Sequence, residues 1–264
     1  MTIPESGYPR AAAVSPRVQV VDTTDSTNAD VVAAVTADPD AWPHLSVLVT
    51  TDQRAGRGRL DRSWVAPAGS ALAISAVVRV PGLPVAARGW IPLAAGAAMA
   101  TAIGAQLEGT GHEVAVKWPN DVLADRGKIC GILAEAVPGH ADAVVVGAGV
   151  NTRMREVEFP VATAMSFAAM GRECDDDRLL ADYLTALDDL LGRLTAAGGD
   201  PDASGVREEV ASRCLTLGAQ VRVSLPGGDV LIGTAVELDR DGRLVVDVAG
   251  VRTPVAAGDV THVR

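Results

Sequence analysis

Four arginines, Arg54, Arg57, Arg59 and Arg62, fall within nine positions of a 264-residue chain whose formal net charge is -10. They belong to the run Gly56-Arg57-Gly58-Arg59-Leu60-Asp61-Arg62-Ser63-Trp64 and its approach. A guanidinium fork matches the paired oxygens of a carboxylate or phosphate. Glycine permits the tight backbone that cradles such an anion. The run therefore points to a site for a small anion, against the plainer alternative of a flexible basic loop. Two more runs hold chemistry-bearing residues: Lys117-Trp118-Pro119-Asn120-Asp121, and Lys128-Ile129-Cys130-Gly131-Ile132-Leu133-Ala134-Glu135. Lys128 precedes a strand with small neighbours, so its ammonium has room to reach a site. Taken alone it reads as a solvated lysine at a strand start, the common fate of lysine.

These residues need elements to hold them. Residues 1–17 contain Pro4, Gly7, Pro9 and Pro16 and read as an extended lead-in. Residues 18–21 predict a strand, and Ser26 and Thr27 stand where caps belong, before helical spacing across 29–37. Residues 45–51 predict a buried β-branched strand that runs into residues 53–64, so the arginines hang from a strand end. Strands are also expected at 71–80, 113–117, 129–136 and 143–150, the last two joined as a hairpin through 138–141. Residues 118–121 read as a turn. Helices are expected at 90–107, at 202–213 and at 178–194, where leucines recur at spacings of three and four. Asp175-Asp176-Asp177 reads as the charged start of the 178–194 helix and as otherwise of little consequence. Short strands at 221–225, 230–238, 244–248 and 251–255, split by turns at 226–229 and 240–243, predict a small SH3-like barrel. The expected division is an extension at 1–17, a main domain at 18–213 and the barrel at 214–264.

Composition narrows the classes. Hydrophobic residues make up 48% of the chain, enough for a buried core. The acidic balance argues against general nucleic-acid binding, which needs a basic face. Three scattered cysteines and four unclustered histidines show neither a disulfide framework nor metal-ligand spacing. No signal peptide is evident. The apolar stretch 91–107 is interrupted by Gly96, Gly104 and Gln106 and reads as a buried helix rather than a membrane span. A cytoplasmic enzyme with no membrane partner is expected.

In order, and followed by Gly147-Ala148-Gly149-Val150-Asn151, these runs resemble the biotin protein ligases. That family's pattern reads G-R-G-R-x-G-R-x-W, then K-W-P-N-D, K-x-x-G-I-L-x-E and G-x-G-x-N. The resemblance covers residues 22–151 by motif, and the C-terminal segment fits the family's small barrel. Asp61 stands where the family usually has glycine and places a carboxylate among the arginines. The 147–151 run is also similar to a dinucleotide-binding loop, but lacks the third glycine and a following helix.

The resemblance implies an α+β fold, a mixed β-sheet with flanking helices of the class II synthetase-like biotin–lipoate ligase type, with the C-terminal SH3-like barrel. It implies that ATP activates the biotin carboxylate as biotinyl-5′-AMP, and that a lysine of a biotin carboxyl carrier domain, from an acyl-CoA or pyruvate carboxylase, then takes the biotin. On this basis Lys128, Arg57, Arg59 and Arg62 are the expected catalytic residues. Arg57 and Arg59 would hold the biotin carboxylate and the α-phosphate, Arg62 the departing pyrophosphate, and Lys128 both carboxyl and phosphate. Gly56 and Gly58 would let backbone amides approach, and Trp64 would form an apolar or stacking wall. Ser26, Thr27, Asn28 and Gln53 would meet the ureido ring. Gly131 and Leu133, with residues 71–75, would wall the rest of biotin. Asn120 and Asp121 would orient the phosphates or their Mg²⁺; a self-bonded turn is the competing reading and is compatible with that role. Lys117 would pair with phosphate or with Glu135, Asn151 would reach the adenylate, and Arg222 and Arg264 would reach the nucleotide or the carrier. The arginine loop is expected to close over the water-sensitive adenylate. A monomer or weak homodimer is expected.

A lipoate or octanoate ligase of the same fold is the alternative enzyme. A bifunctional ligase–repressor would need a helix-turn-helix module, for which the proline-bearing residues before the first core strand are too few. No DNA partner is therefore expected.

Overall fold

A computed structural model describes residues 7–60, 62–225 and 228–263. Asp61, Arg264, Pro226 and Gly227 of the 226–229 turn, and residues 1–6 of the lead-in lie outside the described residues. The first half of the chain forms α1 (Pro9–Val14), β1 (Val18–Val20), α2 (Thr27–Ala37), β2 (Val47–Thr50), β3 (Gly56–Arg57), β4 (Ser63–Trp64), β5 (Ala71–Arg79) and α3 (Trp90–Leu107). It continues with β6 (Val114–Lys117), β7 (Asp121–Ala124), β8 (Gly127–Val137) and β9 (His140–Asn151). Then come α4 (Asp176–Ala196), α5 (Val206–Arg213), β10 (Gln220–Ser224), β11 (Val230–Leu238), β12 (Leu244–Val248), β13 (Val251–Val255) and β14 (Asp259–His262).

Seven strands make the main sheet, in the order β1-β2-β5-β9-β8-β7-β6. Only the β1–β2 pair is parallel; the other neighbours are antiparallel. The central strands β5 and β9 are covered on both faces, which is why they read as apolar runs instead of alternating ones. On one face Leu72, Ile74, Val146 and Val150 join α3 and α4 in the larger core. On the other, Leu48, Val77 and Val145 pack beneath Val31 and Val35 of α2. α2 is short and covers only part of that face; the part it leaves becomes the cleft described below. The stretch Val85–Leu107 is long and apolar enough to cross a membrane, yet here α3 packs against α4 and the sheet, with most of its residues buried.

The C-terminal strands form a five-stranded antiparallel sheet ordered β13-β12-β11-β10-β14. Two tryptophan rings pin it to the main domain: Trp90 Nε1 donates to the Arg240 carbonyl at 2.8 Å, and Trp118 Nε1 to the Gly242 carbonyl at 3.1 Å. Gly89 leaves room for the same turn, since a Cβ there would lie 2.3 Å from the Asp241 carbonyl oxygen.

Four local expectations change. The lead-in contains a helix, α1, with Pro9 in its first turn, where a missing N–H costs nothing. Asp177 accepts from the backbone N–H groups of Arg10 and Ala11 at 3.0 and 2.9 Å, and so docks α1 on α4. The acidic triplet is consequently structural: Asp175 caps α4, Asp177 caps α1, and the buried Asp176 pairs with Arg153 at 2.8 Å. The last short helix begins at Val206 rather than 202, because Gly205 adopts a left-handed conformation with φ of 71°. The pattern also omitted β7, β14 and the β3–β4 hairpin, each four residues or fewer.

Candidate active site

An open cleft lies on the α2 face of the main sheet. Strand register builds its floor. Gly147 and Leu133 share one row across β9 and β8 with the fully buried Ser75 of β5, which Thr27 and Asn28 cover; Ala73, Gly149 and Gly131 form the next. A Cβ on Gly147 would lie 2.4 Å from Asn28 Oδ1, and one on Gly149 would lie 2.5 Å from Trp64 Cε2. The two glycines therefore seat the Asn28 amide and the Trp64 indole directly on the sheet. The dinucleotide-loop reading of 147–151 is overturned: the whole run is strand, and its glycines make room for side chains.

α2 delivers the inner wall. Ser26 caps the helix through the Ala29 N–H, so the capping reading holds locally, and Thr27 and Asn28 follow in its first turn. Thr27 donates from its backbone N–H to Gln53 Oε1 at 2.9 Å. All four of these polar residues line the cleft, with Gly131 and Leu133 beside them.

A bulge aims Lys128. β7 pairs Val122 with Cys130 but Leu123 with Lys128, so Ile129 is the extra residue in β8. That insertion puts Lys128 on the cleft face together with Gly131, which simple alternation would forbid. The ammonium Nζ sits 2.6 Å from Asp121 Oδ1 and 5.5 Å from the centre of the Trp64 ring. Gly131 admits this lysine, since a Cβ there would meet Nζ at 3.2 Å. Asn120 ties the β6–β7 turn to β8, donating to the Ile132 carbonyl at 2.9 Å.

The arginine loop is docked over this floor. Arg57 pairs with Glu135 at 3.0 Å, and Arg59 donates to Asn120 Oδ1 at 3.3 Å. Arg62 forks onto Asp259 of β14, with N–O distances of 3.2 and 2.9 Å. That fork raises the Arg62 pKa and holds the Asp259 carboxyl below its ordinary value. Burial lowers the Arg59 pKa, opposed by the fields of Asp121 and Asp259. Arginine stays charged regardless. Arg57, Arg59, Arg62, Lys117 and Lys128 all line the cleft, with Gly58, Trp64, Asn120 and Asp121.

Three expected residues are not brought to the cleft. Gly56 is a spacer in the β3–β4 hairpin, where a Cβ would lie 2.4 Å from Gln53 Nε2. Asn151 is buried, and its amide donates to the carbonyls of Lys128 and Met165 at 3.4 and 2.9 Å, bracing the lysine from behind. Arg222 is exposed on β10 and does not line the cleft. Arg264 lies outside the described residues. The Lys117–Glu135 pair does not form, because Glu135 is engaged by Arg57 and Asn28. Sequence reasoning missed Asp259 as a partner of the site; it named Ser75 as a wall of biotin and Glu135 as a partner of Lys117, whereas Ser75 bonds Thr27 and Asn28 and Glu135 holds Arg57 and Asn28. Asp259 stands 197 positions from Arg62, and no motif announces it.

Known proteins show the same order of parts. The profile of the biotin/lipoate A/B protein ligase family matches residues 20–151, and that of the biotin protein ligase C-terminal domain matches residues 216–263. A biotin–[acetyl-CoA-carboxylase] ligase of Mycobacterium tuberculosis is 40% identical over 250 residues, 94% of this chain and 90% of that protein. The bifunctional ligase/repressor BirA of Escherichia coli is 31% identical over 79% of this chain and 64% of its own length. Among solved structures, the biotin protein ligase of Aquifex aeolicus in complex with biotin and ATP superposes with a TM-score of 0.74 at 22% identity, covering 94% of this chain and 99% of that one. That likeness speaks for the fold, and the sequence matches speak for descent: this chain belongs to the biotin/lipoate A/B protein ligase family.

Proposed function

We propose that this protein is an ATP-dependent biotin protein ligase that charges the carrier domain of a biotin-dependent carboxylase. One observation carries the reading. Five cationic side chains, Arg57, Arg59, Arg62, Lys117 and Lys128, converge on a cleft whose inner end is neutral, polar and floored by glycine and alanine. Such a cleft suits a ligand with a neutral hydrogen-bonding head and an anionic tail, beside a second polyanion. Biotin and ATP have those shapes.

In the first step a biotin carboxylate oxygen attacks the α-phosphorus of ATP. The bond to the bridging oxygen of the β-phosphate breaks, and pyrophosphate leaves. Lys128 and Arg59 offset the charge that builds on the phosphoryl and carboxyl oxygens, and Arg57 and Arg62 flank them. The Lys128–Asp121 pair loosens as the incoming anions compete for the ammonium. In the second step a carrier lysine amine attacks the acyl carbon, loses its proton, and AMP departs. Magnesium enters with ATP as part of that substrate. Among the described residues no three His, Cys, Asp or Glu side chains gather to hold a metal ion. Asp121 and the Asn120 amide oxygen are the groups available to a cation held chiefly by phosphate. We assign residues 18–213 to this chemistry and residues 214–264 to the domain that supplies Asp259.

The test is biotin-dependent ATP–pyrophosphate exchange on the purified protein, with lipoate and octanoate in parallel. Exchange with biotin alone is expected. Exchange with lipoate or octanoate instead would reassign the substrate, and no exchange with any of them would overturn the ligase reading.

A further inference from the structure

Lys128 stands where β8 outruns its neighbour. The paired register of β8 with β9 begins at Cys130 and Val150, and β9 ends at Asn151. The chain then makes a detour and returns, and residues 163–165 take the edge that β9 has left. They run parallel to β8, with Ala164 opposite Lys128. The Lys128 N–H donates to the Thr163 carbonyl at 2.7 Å, and the Lys128 carbonyl accepts from the Met165 N–H at 2.8 Å. Gly127 lets the segment come this close, since a Cβ there would lie 2.8 Å from Met165 Cβ and 3.2 Å from the Ala164 carbonyl oxygen. Both backbone polar groups of the lysine are thus held by the returning segment.

One hydroxyl fastens the neck of the detour. Ser166 is fully buried; its Oγ donates to the Met154 carbonyl at 2.6 Å and accepts from the Ala169 N–H at 2.9 Å. Backbone bonds close the neck beside it, from the Phe167 N–H to the Asn151 carbonyl at 3.3 Å and from the Ala168 N–H to the Thr152 carbonyl at 3.1 Å. Ser166 does not line the cleft, and neither do residues 163–165.

The bulge at Ile129 is what faces Lys128 into the cleft, and a slip of one residue would turn it to the opposite face. Removing the Ser166 hydroxyl leaves the Met154 carbonyl and the Ala169 N–H without that partner inside a buried neck, which favours opening it to water. With the neck open, the amide and carbonyl of Lys128 lose their partners, and pairing with β7 alone is left to hold the bulge. We propose that Ser166 is a positioning residue: by closing the neck it keeps residues 163–165 against Lys128 and so holds the ammonium on the cleft face. The inference rests on the ligase reading, in which that ammonium offsets charge during pyrophosphate exchange.

The experiment measures kcat and the biotin KM of ATP–pyrophosphate exchange for wild type, Ser166→Ala, Lys128→Ala and the double variant. Ser166→Ala is expected to lower kcat about tenfold and to leave the biotin KM within about twofold, because the lost group acts on the reacting oxygens and not on the head of biotin. In the Lys128→Ala background the same substitution is expected to cost less than about twofold more, since the group it positions is gone. Losses that multiply in the double variant, a biotin KM that rises as far as kcat falls, or an unchanged kcat would each overturn the inference and leave the ligase reading intact. Wild type without exchange would remove the ligase reading and the inference with it. If Ser166→Ala fails to fold, Gly127→Ala takes its place: its Cβ pushes the segment off Lys128 from the other side, and its cycle with Lys128→Ala is read in the same way.

Discussion

Gly149→Ala should damage the site without damaging the fold. The added Cβ would lie 2.5, 2.7 and 2.8 Å from Cε2, Nε1 and Cζ2 of Trp64. Carbon contacts relax at about 3.5–4.0 Å, so one partner must retreat by roughly 1 Å. The sheet cannot, since β9 is hydrogen-bonded to β5 on one side and to β8 on the other. Trp64 can, because it ends the two-residue strand β4 in a surface hairpin. As the indole lifts, it leaves the Lys128 ammonium, now 5.5 Å from its centre, and carries the arginines with it. Overpacking of this kind costs about 1–3 kcal/mol. Taken from transition-state binding, that is roughly a 5- to 150-fold fall in kcat/KM for biotin. Stability should fall little, because the surface hairpin yields to the clash and alanine in an ordinary strand conformation offsets about 0.4–1 kcal/mol by restricting the unfolded chain. Pyrophosphate exchange and a thermal melt on the same preparation check both halves. Activity within about twofold of wild type would refute the argument that these glycines seat the indole. On a Trp64→Ala background the same substitution should cost nothing further, as the clash partner is gone.

Lys128→Ala should lower exchange by about 10²–10³-fold, the usual scale for losing one oriented stabiliser of developing charge; near-normal exchange would move the chemistry to the arginines. Asp176→Ala should destabilise by about 2–4 kcal/mol in urea unfolding, toward the low end for a broken buried pair because Arg153 keeps some water. Asp177→Ala should cost about 0.5–2 kcal/mol and selectively speed amide exchange in α1, whose first N–H groups it caps. His262 should make stability pH-dependent. Burial foremost, then Lys117 and Arg126, lowers its pKa below the ordinary value. The unfolded chain therefore takes up the proton first, so the stabilisation is complete above about pH 6.5 and is lost as pH falls through the folded pKa. The Tm should drop between about pH 7 and pH 5.5 in wild type and drop less in His262→Gln; equal slopes would sink this assignment.

Long elements were legible because their signals are local. The leucine spacing of α4, the apolar run of α3 and the strands β8 and β9 each declare themselves within one window, and α3 and β11–β13 fall at the expected bounds. Short elements were not. β7 and β14 are four residues each and owe their pairing to neighbours, while α1 exists because Asp177 from a distant helix caps it. At the site, residue types in ordered runs sufficed to nominate the arginine loop, Lys128 and the polar residues at the start of α2, all of which reach one cleft.

Residue type therefore determined which groups are available for chemistry, and their order along the chain determined the family. Tertiary structure decided which of them meet. A one-residue bulge at Ile129 turns Lys128 onto the cleft face, an alternation that a linear pattern cannot carry. Register across three strands decides that Gly147 and Gly149 are seats for Asn28 and Trp64 rather than a phosphate loop. The same packing withdraws Asn151 and Arg222 from the cleft and supplies Asp259 and Glu135 as partners for its arginines. Spacing in sequence encodes faces only within one element; which faces come together depends on distant residues sharing space, and that is settled when the sheet closes its register and the C-terminal strands dock.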